Sequence, residues 1–263
     1  MPSISISEIT DFLWHPPRKE PGVKRRPIDQ RDPANAQYYH NWGFTVYRIY
    51  YGPDSDKYWG TLVDAMTRQT HLALGYHETE RIYQEDKRHK WGSYADKSDY
   101  VDDINRLKKL FCLTVREDSS VLDGLDIPQI RELCRKELPE ASKNIEGAKA
   151  CFVFVADEAV LNDIARGVFV IKVVGYDWDE DRLGQGWMRI PTGNVLTFWE
   201  SLLLWDFIDS DVYREIKDHW FGEESERYTW PGDASIYPTH GCSEAQTACH
   251  RNSSRFSQFR LDH

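Results

Sequence analysis

Apolar residues along this chain of 263 residues fall in short runs separated by longer stretches of mixed polarity. The first run, 44–51, carries bulk on both faces: Phe44, Val46, Arg48 and Tyr50 share one, Thr45, Tyr47, Ile49 and Tyr51 the other. Side chains alternate across a strand, so bulk on both sides predicts a central one. Gly52-Pro53 breaks it, and Asp54 or Ser55 is placed to cap a helix beyond the break. Between 56 and 74 the period changes. Trp59, Leu62, Val63 and Met66 stand at i, i+3, i+4 and i+7, the stripe of a helix buried along one side. Three further strands are predicted at 110–116, 151–156 and 168–174. The second leads to a turn at 118–120 and a helix from Pro128 through 138, ended by Pro139. Asp157 is placed to cap a short helix through Ile164, closed by Gly167. The fourth strand and residues 187–190 flank an acidic loop and predict a long hairpin. Thr192 or Asn194 would cap an apolar helix at 195–205, with another at 211–221.

Residues 1–40 read as an N-terminal arm, with a short helix capped by Ser5 or Ser7 and stopped by Pro16-Pro17. Residues 41–222 form a single α+β domain, and 223–263 a polar, partly disordered tail. The charge-dense stretch 77–106 reads as exposed, helical near 100–107. The predicted fold is α+β: a mostly antiparallel sheet of four to six strands with helices on one side, built from ferredoxin-like strand–helix–strand units. A doubly wound parallel sheet is the alternative. The hairpin and the missing glycine-rich turn stand against it.

Charge narrows the partners. There are 33 Lys+Arg and 43 Asp+Glu, a net charge of −10, which argues against nucleic acid and anionic membranes. The basic cluster Lys24-Arg25-Arg26 reads as a solvated part of the arm. No run approaches the ~18 apolar residues that cross a bilayer, and the N-terminus lacks the basic start of a secretory signal. Five scattered cysteines, with Cys112 and Cys151 inside apolar runs, fit a reducing, cytoplasmic setting.

Motifs for known chemistry do not assemble. Asp177-x-Asp179-x-Asp181 has the opening of a calcium loop, but positions six and twelve hold Arg182 and Met188 in place of Gly and Glu. His240, Cys242, Cys249 and His250 lack zinc-knuckle spacing. Asp99-x-x-Asp102-Asp103 reads as a charged helix start. There is no nucleophile elbow, dinucleotide fingerprint or phosphate loop, and no metal or cofactor is implied.

What remains is an abundance of rings, 10 Trp and 14 Tyr, and a few isolated polar residues. Arg48, mid-strand among apolar neighbours, needs an acidic partner such as Asp157 or Glu117, or a ligand anion. Trp42, Tyr47, Tyr50, Trp59 and Trp187 are candidates to line an aromatic cleft. His71, Asp157 and Glu158 are candidate acid–base groups. These residues support two functions. One is a binding or accessory protein that takes a small molecule or a protein partner in that cleft. The other is a cofactor-free acid–base enzyme, an isomerase, cyclase or hydrolase, with Arg48 holding an anion.

Three blocks carry a resemblance: Trp42-Gly43-Phe44-Thr45-Val46-Tyr47-Arg48, Phe152-Val153-Phe154-Val155-Ala156-Asp157-Glu158, and Val170-Ile171-Lys172-Val173-Val174. Together they resemble a paralogue-rich group of ascomycete fungal proteins with no established activity. The resemblance implies a fungal, cytosolic protein with an association to secondary metabolism or host interaction, and it assigns no functional residue.

Overall fold

The computed structural model describes residues 5–17, 28–85, 97–141, 152–176 and 186–204. The elements in chain order are α1 (Ile6–Phe12), β1 (Trp42–Arg48), α2 (Ser55–Glu85), α3 (Lys97–Leu110), β2 (Phe111–Arg116), the single turn α4 (Ser119–Leu122), α5 (Ile127–Ala141), β3 (Phe152–Ala156), α6 (Glu158–Ala165), β4 (Val170–Gly175), β5 (Trp187–Pro191) and α7 (Val195–Leu204). The strands form one open sheet in the order β2-β1-β3-β4-β5. The central β1 is parallel to both of its neighbours, β2 and β3. From β3 through β4 to β5 the pairing is antiparallel, and β4–β5 is the expected hairpin. The α+β class and a strand number within four to six therefore hold, in a mixed sheet. The strand order is not that of a ferredoxin-like plan.

Helices cover both faces, which corrects the one-sided expectation. On one face Phe44, Val46, Phe154 and Ile171 share a core with residues of α1, α2, α3, α6 and α7. On the other, Tyr47, Val153, Val155 and Val174 pack with Leu122 of α4 and Ile130 and Cys134 of α5. The reason is topological. Crossovers between parallel strands are right-handed, so stepping one way from β1 to β2, then back past β1 to β3, puts the two sets of helices on opposite faces.

Local chemistry fixes the ends of several elements. The Ser5 hydroxyl accepts from the Glu8 N–H at 3.2 Å while the Glu8 carboxylate accepts from the Ser5 N–H at 2.7 Å, a reciprocal cap. The helix so started packs against the body: Ile6, Ile9 and Leu13 are fully buried in the main core. Asp157 caps α6 through the Val160 N–H at 3.0 Å, and Gly167, at φ 79°, ends it. Gly43, at φ 134°, lies where a Cβ would stand 2.1 Å from the Cys112 carbonyl oxygen, so only glycine lets β1 sit this close to β2. Three expectations shift. Helix α2 runs on to Glu85. Helix α5 continues past Pro139 to Ala141, losing one N–H in its last turn. Thr192 does not cap α7; its hydroxyl donates to Gln69 Oε1 at 2.6 Å, tying the start of α7 to α2.

The acidic loop 177–181, the helix at 211–221, the tail and the His240/Cys242/Cys249/His250 group lie outside the described residues. Among the described residues no helix is long and apolar enough to cross a membrane.

Candidate functional site

In an open sheet whose strand order reverses direction, a crevice forms beyond the carboxyl ends of the two strands flanking the reversal. Here those strands are β1 and β3. Arg48, the last residue of β1, is in register with Ala156, the last of β3. The turn 49–54 leads from β1 into α2, and Asp157 leads from β3 directly into α6.

Arg48 is buried along its length, with 6% of its side chain exposed. Its Nε donates to the Tyr50 carbonyl at 3.1 Å and its Nη2 to Ser55 Oγ at 2.8 Å. The same Nη2 forms an ion pair with Asp56 in the first turn of α2. The guanidinium lies 4.3 Å from the centre of the Tyr51 ring, whose hydroxyl donates to the Arg48 carbonyl at 3.0 Å. Neither expected partner is used. Glu117 accepts instead from Trp59 Nε1 at 2.6 Å, and Asp157 pairs with Lys172. Asp56 is brought round by the turn at Gly52-Pro53-Asp54, with Asp54 at φ 58°, a conformation that Asp tolerates better than most residues.

Tyr50 extends across this turn. A Cβ on Gly52 would lie 2.1 Å from the Tyr50 hydroxyl, so glycine is what lets the ring lie against the backbone there. Glu158, in the first turn of α6, lies within electrostatic reach of the hydroxyl. The phenol belongs to the segment after β1 and that carboxylate to the segment after β3. Burial first, then Glu158 and Asp123, push the phenol's pKa up. Tyr51 is raised too, by burial and by Glu117, Asp118 and Asp123, against the lowering effect of Arg48.

Beside this strand end is a second charged cluster. Lys172 on β4 is 3% exposed at its side chain and pairs with Asp157, whose other oxygen caps α6. The Trp187 ring lies 4.6 Å from the Lys172 ammonium. Next along, Arg189 of β5 pairs with Asp163 of α6. Lys172 and Arg189 are directly opposite across β4 and β5. Like charges so placed repel, and the two α6 carboxylates offset them while holding that helix to the sheet.

The structure therefore brings Arg48, Tyr50 and Glu158 together at one rim, with Asp157 beside them and the Trp187 ring reaching Lys172 from further down the sheet. It leaves the other candidates elsewhere. Trp42 is fully buried at the opposite end of β1, donating Nε1–H to the Leu107 carbonyl at 2.8 Å between Phe111 and Trp199. Tyr47 is in the core on the other face, its hydroxyl donating to Glu137 Oε2 at 3.4 Å; burial raises Tyr47 and the neighbouring Cys134, the thiol to about 12, and neither ionises near neutrality. Trp59 is 6% exposed and ties α2 to the end of β2. His71 stands 16 residues into α2, about 24 Å along its axis from Ser55, edge-on to Phe111, where desolvation lowers its pKa. It does not face Arg48. Sequence reasoning missed Asp56, Ser55 and Tyr51. A Ser-Asp pair opening a helix directly after a strand ending in Arg was the available signal.

Among the described residues no group of three or more His, Cys, Asp or Glu is placed to hold a metal ion. No family model matches the chain, and neither a curated protein nor a solved structure is significantly similar to it.

Proposed function

We propose that this protein binds a small molecule in the crevice beyond the carboxyl ends of β1 and β3. The observation that carries the reading is the reversal of strand order between these strands, which sets Arg48, Tyr50 and Glu158 at one rim. Crevices at such reversals are where open α/β sheets take their ligands. The aromatic contribution comes from Tyr50, Tyr51 and Trp187, which are partly exposed, rather than from the interior rings of Trp42, Tyr47 and Trp59. A metabolite panel tested by thermal shift checks the reading. A ligand that raises Tm in the wild type and does so less in Tyr50→Ala supports it. Ligands whose effect ignores Tyr50, or a panel with no stabiliser, count against it.

One observation favours acid–base catalysis as a second reading: the Glu158 carboxylate lies near the Tyr50 hydroxyl at the rim. Turnover of a bound compound that Glu158→Gln abolishes while binding persists would establish it. Asp157 is a poorer candidate, because both of its oxygens are engaged, one by the α6 cap and the other by Lys172.

A further inference from the structure

We infer that the ligand of this crevice is an organic monocarboxylate, whose acid group seats on Arg48 by taking the place of Asp56. This rests on the proposed crevice and specifies what it takes.

The first support is the mismatch within the pair. Arg48 has 6% of its side chain exposed, while its carboxylate partner Asp56 has 92%. An ion pair with so solvated a partner is held weakly, because water competes for the carboxylate. Moving Asp56 away strands no buried acid. The guanidinium then keeps its place, since the Tyr50 carbonyl, Ser55 Oγ and the Tyr51 ring still hold it.

The second support is donor geometry. A guanidinium presents a planar fork suited to a two-oxygen acid. Among the described residues, the hydrogen bonds of Arg48 use Nε and Nη2, and none uses Nη1. An incoming carboxylate therefore finds Nη1 and, once Asp56 has moved, Nη2 on one edge of the fork. The first turn of α2 begins at Ser55 beside it, and the positive end of the helix dipole adds potential at the same place.

The third support decides between acids. Glu117, Asp118 and Asp123 lie within electrostatic reach of Tyr51, and Glu158 and Asp123 within reach of Tyr50. A rim with that many carboxylates repels a doubly charged phosphate more than a singly charged acid. The adjoining Tyr50 and Tyr51 rings suit an apolar body behind the acid group.

Isothermal titration at fixed ionic strength tests this, with benzoate and acetate as carboxylate probes and inorganic phosphate for contrast. We expect benzoate to bind the wild type, and to bind Asp56→Asn about tenfold more tightly, equivalent to about 1.4 kcal/mol. Phosphate should be weaker than benzoate for both proteins. Arg48→Lys should weaken benzoate, because an ammonium lacks the fork. Asp56 is exposed, so its variant decides the matter even if Arg48→Lys fails to fold. Equal benzoate affinity in wild type and Asp56→Asn, preference for phosphate, or no benzoate binding by either protein overturns the inference. A neutral compound that binds through Tyr50 with no response to Asp56→Asn overturns it too, yet leaves the crevice standing. Absence of any Tyr50-dependent ligand sinks both.

Discussion

Two buried cations sit near the same rim of the sheet, and they differ in what holds them. Lys172 is 3% exposed and pairs with Asp157, itself only 24% exposed and fixed as the cap of α6. Arg48 is 6% exposed and pairs with Asp56, which is 92% exposed. In the first pair both charges are withdrawn from water, so neither can be removed without stranding the other. In the second, only the cation is withdrawn. A buried charge with a buried partner is structural, whereas a buried charge with a solvated partner is open to exchange. The candidate ligand site is assigned to Arg48 rather than to the more deeply buried Lys172 on that difference.

The sharpest way to break the comparison is stability. Lys172→Met should cost about 3–5 kcal/mol in chemical denaturation, because Asp157 loses its counter-ion in a half-buried place. Arg48→Met should cost less, about 1–2 kcal/mol, since Ser55 and the Tyr50 carbonyl lose hydrogen bonds but no buried carboxylate is stranded. Equal losses for the two variants would erase the distinction. A smaller effect concerns His71, at the far end of the sheet. Its folded pKa lies below the ordinary value of 6.5 because burial penalises the charged ring. The unfolded chain therefore takes up the proton first as pH falls. Stability contributed by neutral His71 is complete above about pH 6.5 and is lost as pH drops from there toward the folded pKa. His71→Phe should flatten the fall in denaturation free energy between pH 7.5 and pH 5, and an unchanged slope would show that the ring is solvated. Smallest of all, Asp56→Asn should change stability by no more than about 1 kcal/mol in either direction. A loss matching that of Lys172→Met would make Asp56 a structural partner.

Much of the fold is legible where local chemistry decides it. The Ser5 and Asp157 caps, the helix stripe through Trp59, Leu62 and Met66, and the β4–β5 hairpin obey short-range rules. The arrangement of strands does not, because β1 pairs with β2 and β3 across about 70 and 110 residues of chain, and periodicity carries no signal for pairing at that distance. The one-sided placement of helices fails for the same reason: it depends on strand order, which sets the face of each crossover. At the site, Arg48 is legible as a buried cation in need of a partner. The identity of the partner is not, because the turn at Gly52-Pro53 folds Asp56 back over the strand end, while Glu117 and Asp157 are taken by Trp59 and Lys172. The aromatic cleft is smaller than the number of rings suggests. Ring counts do not separate Trp42, sealed between Phe111 and Trp199, from Tyr50, laid across a glycine at the rim.

Chemical-shift mapping of the backbone amides during a benzoate titration tests the crevice most directly. Shifts concentrated at Tyr50, Gly52, Ser55, Asp56, Asp157 and Glu158, with Trp42 and His71 silent, are the predicted result. Shifts centred on the Trp42 end of the sheet, or scattered without a focus, would contradict it.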